Sequence, residues 1–385
     1  MKIGVIGAGR LGICFALLLE KAGYEVIVSD CRHEYVNDLN NRVINSNEPY
    51  VAELLSESKN FKAVTDNVEV IKECSIVYTL VATPSLPSGK YDVSSVWEVI
   101  KDFQNCDFPI NGKTFVIGCT TNPGDCDDFQ SQLNAYGVDV FYNPEFIAQG
   151  SIIKDLQYAD MVLIGGEEGN KLDSIKEIYY KIQLNTPNIC TMAAKSGEIT
   201  KIAINCFLTS KISFANTIGQ VMCLSGLESE VSKVLDAIGS DSRIGNKYLR
   251  YGFGFGGPCF PRDNRSFASY AESVGCEFNV GRTTDNFNKK HLEFLKNYFI
   301  SKNTNNDYAY YFDYISYKKG TDILTESHQY DLCLSLLDAG FTVYINDVEA
   351  VINQVKDFLQ TQFSGKVNFI QNEEELPEKI IQIKF

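Results

Sequence analysis

Residues 1–30 read MKIGVIGAGRLGICFALLLEKAGYEVIVSD and carry the strongest structural signal in the chain. A short apolar run comes first, and the pattern GxGxxG follows it at Gly7, Gly9 and Gly12. Apolar residues then recur at helical spacing, and a second apolar run ends at Asp30. Strand, glycine turn, helix, strand and acid in this order are typical of the first βαβ unit of a dinucleotide-binding sheet.

Each position of this pattern has a physical role. Gly7 allows a tight turn, Gly9 lets a pyrophosphate approach the backbone, and Gly12 permits close packing of the helix on the strand. Asp30 suits a ribose diol and would repel a 2′-phosphate, so the pattern predicts NAD, with nearby Arg32 as the one feature that favours NADP. A glycine turn in an unrelated α/β unit is the alternative. The predicted cofactor-binding residues of this stretch are Gly7, Gly9, Arg10, Leu11, Gly12 and Asp30.

The alternation of strands and helices continues beyond this first unit. Further strand-like runs lie at 75–83, 114–120, 138–143 and 161–166, with helical stretches between several of them. This pattern predicts an N-terminal Rossmann-type doubly wound parallel sheet, which we place in residues 1–195.

Two more segments follow in the sequence. From Glu198 to Ile218 there is no proline and no glycine, and apolar residues recur at helical spacing, so we expect a long spine helix with Ser196 as its N-cap. Further helical patterns follow it, and together they predict a central helical region, residues 196–300. Residues 301–385 open with the polar connector SKNTNND and then alternate strands and helices, which predicts a smaller C-terminal α/β domain.

Length and composition limit the class of protein. A chain of 385 residues is too long for one core, and a net charge of −14 argues against nucleic acid or an anionic membrane as a partner. The absence of a long apolar run and of a signal-peptide pattern predicts no membrane span and a cytoplasmic location. Twelve scattered cysteines without a CxxC pair, and only three histidines, predict reduced thiols and no metal site.

Residues 252–263, GFGFGGPCFPRD, place Cys259 in a frame of four glycines, with Arg262 and Asp263 just after it. Glycines at this density suggest a flexible segment in which backbone and ligand approach closely. A buried thiol in an ordinary turn is the alternative reading, because cysteines are often buried. The local pattern alone leaves both open.

Four motifs together resemble the UDP-glucose/GDP-mannose dehydrogenase family, and within it the UDP-glucose 6-dehydrogenases. They are NPEFIAQGSIIKDL (143–156), GEITKIAINCFLTSKISFAN (197–216), RIGNKYL (243–249) and GFGGPCFPRD (254–263). The resemblance extends from residue 1 to about residue 350. It implies an N-terminal NAD domain, a central helical dimerisation core and a C-terminal UDP-sugar-binding domain, which looks shortened here.

The resemblance also implies a chemistry. Such enzymes oxidise the C6 alcohol of UDP-glucose to the carboxylate of UDP-glucuronate, with two hydrides passed in succession to two NAD molecules. Cys259 would hold the aldehyde as a thiohemiacetal and then as a thioester, which water hydrolyses. Lys201 and Asn205 lie one helical turn apart and would stabilise the oxyanions, while Asp263 would help to activate water.

The remaining site residues are carried over from the family pattern. Glu145 is the expected general base or water-positioning group, Thr121 would contact the catalytic water and the cofactor, and Thr83 would lie close to NAD. Arg243 would reach the sugar across the interface of a homodimer formed by the central helices. The predicted substrate-binding residues are Glu145, Phe146, Ile147, Lys201, Asn205, Gly256 and Arg243, with Tyr248 and Lys318 at the diphosphate.

Several positions depart from the family pattern. Gln149 stands where the family often has a second glutamate, and Thr325 where it usually has an arginine. Cys119 and Arg262 each replace a lysine. Because an amide cannot act as a base, Gln149 is the departure most able to slow hydrolysis. The retained reactive residues indicate a divergent but active enzyme.

Three alternatives stay open at this point. GDP-mannose and N-acetylated UDP-sugars are the competing substrates, although Pro258 and the FPRD sequence after Cys259 favour the UDP-glucose type. A non-catalytic homologue that binds NAD and a nucleotide sugar is a second alternative, against which the retained thiol argues. A two-electron hydroxyacid dehydrogenase shares the N-terminal fold but has no use for Cys259.

Overall fold

The apolar runs of residues 1–201 assemble into one eight-stranded sheet. The computed structural model describes all residues, 1–385, and divides them into two units, Met1–Lys201 and Ile202–Phe385. The strands of the first unit are β1 (Lys2–Ile6), β2 (Glu25–Ser29), β3 (Phe61–Val64), β4 (Ile76–Thr79), β5 (Thr114–Ile117), β6 (Asp139–Tyr142), β7 (Met161–Gly165) and β8 (Asn188–Met192). Their order in the sheet is β3-β2-β1-β4-β5-β6-β7-β8.

The first six strands are parallel and follow the doubly wound order, with the direction of winding reversed at β1 and β4. This confirms the predicted fold class. One pairing differs from a fully parallel sheet, because β6 and β7 meet antiparallel at Tyr142 and Gly165. β7 and β8 are parallel to each other, so the last two strands run opposite to the first six.

Helices cover both faces of this sheet. They are α1 (Arg10–Lys21), α2 (His33–Asn41), α3 (Val51–Glu57), α4 (Asn67–Glu73), α5 (Ser94–Gln104), α6 (Asp125–Leu133), α7 (Ile152–Gln157) and α8 (Asn170–Ile182). One apolar core includes Phe15, Ile152 and Ile178 from α1, α7 and α8. The other includes Ile71 and Phe129 from α4 and α6. Apolar residues on both faces are why β1, β4 and β5 read as continuous hydrophobic runs.

The long helix is longer than the sequence pattern predicts. It is α9, Ala194–Leu224, with 31 residues. The prediction of Ser196 as N-cap is wrong, because the helix already begins two residues earlier. Gly197 lies in its first turn, where a Cβ would come within 3.2 Å of the Tyr142 ring, so this glycine serves close packing and does not end the helix.

The second unit contains a helical part and a small sheet. Its further helices are α10 (Val231–Gly239), α11 (Phe260–Ser273), α12 (Val280–Ser301), α13 (His328–Asp338) and α14 (Glu349–Gln362). Its strands are β9 (Ala309–Phe312), β10 (Val343–Ile345), β11 (Val367–Phe369) and β12 (Ile380–Gln382), all parallel in the order β11-β10-β9-β12. The small C-terminal sheet was predicted, but β12 was missed. The expected domain boundaries near residues 195 and 300 stay a prediction.

Candidate active site

The predicted cofactor and water-handling residues of the first unit lie along one edge of the sheet. Asp30 follows β2, Thr83 follows β4, Thr121 follows β5 and Glu145 follows β6, while the Gly7 turn follows β1. These five strands are adjacent in the sheet and parallel. The carboxyl ends of parallel strands form the edge at which doubly wound sheets bind ligands.

The first glycine loop packs against backbone at Gly7 and Gly12 and is open at Gly9. Gly7 has φ +96°, and a Cβ there would lie 2.8 Å from the Leu80 carbonyl oxygen. A Cβ on Gly12 would lie 1.9 Å from the Gly7 carbonyl oxygen. Gly9, the N-cap of α1, has no atom within 4 Å of its Cβ position. A pyrophosphate would therefore bind at the N-terminus of α1, where the space in front of Gly9 is open.

Asp30 is already organised as an acceptor. Its side chain accepts from the Ala8 amide at 3.2 Å, and from Arg32 Nε at 2.7 Å and Nη2 at 2.8 Å. Burial opposes the ionised form, but the bonds from Arg32 and Ala8 outweigh this and lower the pKa of Asp30. Arg32 is thus bound to the ribose-binding acid of the predicted site.

Gln149, one of the departures, contacts the predicted cofactor residue Arg10. Its Oε1 accepts from Arg10 Nη1 at 2.8 Å. The amide therefore holds a cation at the first residue of α1, without the negative charge that a glutamate would add.

Thr121 is held by a buried carboxylate that the sequence analysis did not single out. Thr121 Oγ1 donates to Glu198 Oε1 at 2.7 Å, and Glu198 also accepts from the Gly124 and Cys126 amides at 2.6 and 3.0 Å. Burial raises the pKa of Glu198 to about 7. Since the Thr121 hydroxyl donates its one hydrogen to Glu198, its oxygen can only accept from a water or ligand.

Glu145 is half-buried and lies beside two buried polar side chains. Its Oε1 is in hydrogen-bond contact with Tyr179 Oη, which is also 2.7 Å from Asn143 Oδ1. Lys201 Nζ donates to the main-chain oxygen of Glu145 at 2.5 Å and lies 4.3 Å above the Phe146 ring. Burial raises the pKa of Glu145 to about 7, against the opposing effects of Tyr179 and Lys201. Ile147, the neighbouring predicted residue, packs against the core of the first unit.

In the second unit, Cys259, Asp263 and Asn205 lie together. Cys259 is exposed and is the N-cap of α11, and the Asp263 amide donates to its carbonyl oxygen at 2.8 Å. Asp263 is 1% exposed and accepts from Asn205 Nδ2 at 2.5 Å. Arg262 Nε lies 3.9 Å from Asp263 Oδ1. The N-terminal end of a helix favours negative charge, which suits a thiolate nucleophile.

The glycine loop before Cys259 is held at almost every residue, so the flexible frame suggested by its composition is wrong. Asn216 accepts from the Gly252 amide at 3.0 Å, and His328 Nδ1 accepts from the Gly254 amide at 3.1 Å. Asn288 bonds both the amide and the carbonyl of Phe255, at 3.0 and 2.7 Å. These partners come from α9, α12 and α13.

The glycines of this loop are required by the protein around them. A Cβ on Gly254 would lie 2.1 Å from Asn288 Oδ1 and 2.2 Å from His328 Cε1. A Cβ on Gly256 would lie 2.2 Å from the Glu326 carbonyl oxygen. We therefore attribute Gly256 to packing, and its predicted contact with substrate stays a prediction.

A cavity of about 780 Å³ lies in the second unit beside this loop. Tyr248, Tyr251 and the cations Lys247, Arg250 and Lys384 are among its lining residues. Size, aromatic walls and cations fit a nucleotide diphosphate. Of the predicted substrate residues, Tyr248 lines it, whereas Lys318 is exposed and is not part of the lining.

Arg243 is also exposed and pairs with Asp241 at 2.7 Å. Its predicted reach across a dimer interface stays a prediction.

The sequence analysis missed the residues that orient the site. Tyr179 and Glu198 hold Glu145 and Thr121, and His291, His328 and Asn288 hold the Cys259 loop or the residues around it. Only Glu198 carried a local signal, as the acid of the SGE sequence one turn before Lys201. The others lie on helices far from their partners in sequence.

Two family models match the chain, together covering most of it. Residues 1–183 match the NAD binding domain of the UDP-glucose/GDP-mannose dehydrogenase family, and residues 195–290 match the central domain of the same family. The chain belongs to the UDP-glucose/GDP-mannose dehydrogenase family. It is thus an oxidoreductase of the nucleotide-sugar dehydrogenase family. Its cofactor is NAD, as predicted.

Curated relatives and solved structures agree with this assignment. YtcA of Bacillus subtilis (strain 168) is 30% identical over 360 residues, 91% of this chain and 82% of that protein. The UDP-glucose 6-dehydrogenase TuaD of the same organism is 32% identical over 75% of this chain and 63% of TuaD. A UDP-glucose dehydrogenase from Pyrobaculum islandicum has a TM-score of 0.84 at 22% identity, covering 100% of this chain and 94% of that one. A UDP-D-ManNAc dehydrogenase from Pyrococcus horikoshii has a TM-score of 0.78 at 20% identity, covering 100% and 99%.

The two structures establish the fold and leave the sugar undecided.

No cluster of side chains in the chain is arranged to hold a metal ion, and no helix is both long and apolar enough to cross a bilayer. The residues fit NAD on observations of their own: the open space at Gly9, the α1 N-terminus and the acceptor Asp30.

Proposed function

We propose that this chain oxidises C6 of UDP-glucose to the carboxylate of UDP-glucuronate, through a thiohemiacetal and a thioester on Cys259. The observation that carries the proposal is the placement of an exposed thiol at a helix N-terminus, one turn before a buried Asp263 that Asn205 holds. TuaD, named a UDP-glucose 6-dehydrogenase, supports UDP-glucose as the sugar nucleotide. A protein that only binds ligands has no use for such a nucleophile.

The proposed oxidation has four steps: hydride loss, thiol addition, a second hydride loss and hydrolysis. The C6 alcohol loses a hydride and a proton to give the aldehyde, and Cys259 Sγ then adds to C6 to form the C–S bond of a thiohemiacetal. A second hydride and proton leave, which gives the thioester. Water attacks C6, the C–S bond breaks, the carboxylate forms and the thiol is restored. NAD, when bound, accepts the two hydrides, one on each of two molecules.

Side chains of the protein stabilise the oxyanions and position the water. Lys201 Nζ donates to the Glu145 carbonyl oxygen, and Asn205 Nδ2 donates to Asp263. An ammonium carries three N–H groups and an amide two, so both side chains are of the type that stabilises an oxyanion. We assign the two side chains to the oxyanions of the addition and hydrolysis steps. Asp263, Glu145 and Thr121 are assigned to water, Thr121 as an acceptor only.

A covalent intermediate tests the chemistry directly. Glu145→Gln should slow hydrolysis, so a UDP-glucuronyl group should accumulate on the peptide that contains Cys259 after UDP-glucose and NAD are added and the protein is acid-quenched. The matched control, Glu145→Gln with Cys259→Ala, should show no adduct by mass spectrometry. Unchanged turnover of UDP-glucose by Cys259→Ala alone would reject the proposal and favour a noncovalent route. No turnover by the wild-type protein would favour a binding role.

The same assay decides the substrate. GDP-mannose and UDP-N-acetylmannosamine are compared with UDP-glucose at equal concentration in the wild-type protein. UDP-glucose should give the highest kcat/KM. A higher value for either of the others would move the substrate assignment and leave the Cys259 chemistry standing.

We also propose that the chain forms a homodimer through α9. Phe207, Phe214 and Val221 recur every seven residues on this helix and are 68%, 48% and 54% exposed, and Leu224 beside them is 79% exposed. An apolar stripe of this spacing is typical of a helix that packs against a second helix. Light scattering should give twice the chain mass for the wild type and a smaller mass for Phe214→Glu. A monomeric wild type would reject this assignment.

A further inference from the structure

The hydrogen bonds around Glu145 can be counted one hydrogen at a time. Asn143 Nδ2 donates to the Leu163 carbonyl oxygen at 2.9 Å, which fixes the amide so that Oδ1 faces Tyr179. Tyr179 Oη lies 2.7 Å from that Oδ1 and also contacts Glu145 Oε1. The Tyr179 hydroxyl therefore lies between two oxygens, and one of them, Oδ1 of Asn143, can only accept.

A hydroxyl has one hydrogen to donate, and this limits the state of Glu145. If Glu145 is ionised, both neighbours of Tyr179 Oη are acceptors and one of them is left without a hydrogen. If Glu145 is protonated, it donates to Tyr179 Oη, and Tyr179 donates to Asn143. Only the second arrangement satisfies every contact. Asn143 and Tyr179 are each 1% exposed, and although water can reach the half-buried Glu145, it does not place a hydrogen in the contact between Glu145 Oε1 and Tyr179 Oη.

The groups that face Glu145 have opposing effects on its pKa. Tyr78 on β4 is fully buried, and burial raises its pKa and keeps it neutral, so it adds no charge near Glu145. Lys201 on α9 favours the carboxylate through its charge, but its Nζ donates to the main-chain oxygen of Glu145. The result of burial against these opposing groups is a pKa of about 7.

We infer that Glu145 carries a proton in the resting enzyme and donates it to Tyr179, and that Tyr179 and Asn143 are the positioning residues that control its release. When Glu145 ionises, the Tyr179 hydroxyl turns its hydrogen from Asn143 to the new carboxylate. The proton leaves to solvent, and the carboxylate becomes available as a base. This inference rests on the proposed function only in giving that base its task, the hydrolysis of the Cys259 thioester.

The two positioning residues make opposite predictions. Tyr179→Phe removes a hydrogen bond from both states of Glu145, but the charge-assisted bond to the carboxylate is the stronger one, so ionisation of Glu145 should shift to higher pH by about one unit. Asn143→Ala removes the competing acceptor and leaves the Tyr179 hydrogen to Glu145, so ionisation should shift to lower pH by about one unit. A role in packing alone does not predict opposite signs.

The test is an infrared titration of the full chain without substrate, between roughly pH 5 and pH 9, around the value of about 7 expected for Glu145. The carboxylic-acid C=O band is assigned by its loss in Glu145→Gln. The band should disappear as pH rises, with the midpoint moved up in Tyr179→Phe and down in Asn143→Ala. No such band at neutral pH in the wild type, or an unmoved midpoint in Tyr179→Phe, would overturn the inference even if Asn143→Ala fails to fold.

The inference and the proposed function fail in different ways. If the band titrates as expected but no nucleotide sugar is oxidised, the proton on Glu145 stands and its catalytic task is rejected. If UDP-glucose is oxidised but the band is missing, the proposed function stands and the inference is rejected. In the wild-type enzyme, the rate of thioester hydrolysis should rise with pH, and its midpoint should equal that of the infrared titration.

Discussion

The chain contains two glycine-rich loops before a helix, and they use glycine in opposite ways. In the loop of Gly7, Gly9 and Gly12, the outer glycines let backbone segments approach each other, and the space in front of Gly9 is open. In the loop of residues 252–257, buried side chains and backbone fill the space beside Gly254 and Gly256. The first loop leaves room for a ligand, and the second is fixed by the protein so that Cys259 is presented at a defined helix end.

This difference shows that glycine density does not by itself measure flexibility. Composition suggested a mobile frame around Cys259, yet Asn216, Asn288, His291 and His328 bond its main chain from three helices. At Gly254 the buried side chains that face the backbone lie where a Cβ would be, so this position requires glycine. Such a loop is a rigid support for a nucleophile.

The largest effect is expected where the first loop is tightest. Gly12→Ala places a Cβ at 1.9 Å from the Gly7 carbonyl oxygen, where both partners are backbone and cannot move independently. We expect the free energy of unfolding to fall by about 3 kcal/mol, in the upper range for overpacking. Urea denaturation measures it. A loss below about 1 kcal/mol would show that the α1 N-terminus moves easily.

The second loop should give an intermediate effect that depends on pH. Burial lowers the pKa of His291 to about 4 and that of His328 to about 3, so both stay neutral in the fold. Below an unfolded-state pKa of about 6.5 the unfolded chain takes up protons that the folded chain does not, so stability falls as pH falls towards 4. Each histidine contributes about 1.4 kcal/mol per pH unit in this window.

His328→Asn tests the share of one histidine in that dependence. The Asn oxygen can replace Nδ1 as acceptor for the Gly254 amide, but it does not titrate. Between pH 6 and pH 5, the stability of the variant should fall less steeply than that of the wild type, by roughly 1 kcal/mol. Equal slopes would show that His328 is not kept neutral by the fold.

The smallest effect on stability is expected at the open glycine. Gly9→Ala meets no atom within 4 Å, so the free energy of unfolding should fall by only about 0.5 kcal/mol, the lower end for alanine at an N-cap. The affinity for NAD should nevertheless fall about tenfold or more, because the added methyl group occupies space that a pyrophosphate needs. Gly12→Ala and Gly9→Ala thus form a matched pair. Unchanged NAD affinity in Gly9→Ala would move the pyrophosphate away from this position.

Much of the first unit could be predicted from the sequence, because its signals are local. The order of strand, glycine turn, helix and acid in residues 1–30 specified a doubly wound sheet, and Asp30, Thr83, Thr121 and Glu145 fall at strand ends that the pattern places on one edge. The start of α9 was misjudged because a serine before a helical pattern is typical of an N-cap, whereas here Ser196 lies inside the first turn and Gly197 beside it packs against Tyr142.

The supporting residues could not be predicted in the same way. Tyr179 lies 34 residues from Glu145, and His328 lies 74 residues from Gly254. Each reads locally as part of an amphipathic helix, and its polar contact exists only after the helix packs. The roles proposed for Lys201, Asn205 and Cys259 came from the family resemblance and not from their spacing.

The number of NADH molecules formed per sugar tests the proposed four-electron oxidation most directly. Limiting UDP-glucose is incubated with excess NAD and pure protein, and the absorbance of NADH gives the total after the reaction stops. Two NADH per UDP-glucose are predicted, with UDP-glucuronate as the product. One NADH per UDP-glucose, with an aldehyde released, would contradict the passage of the sugar through a thioester on Cys259.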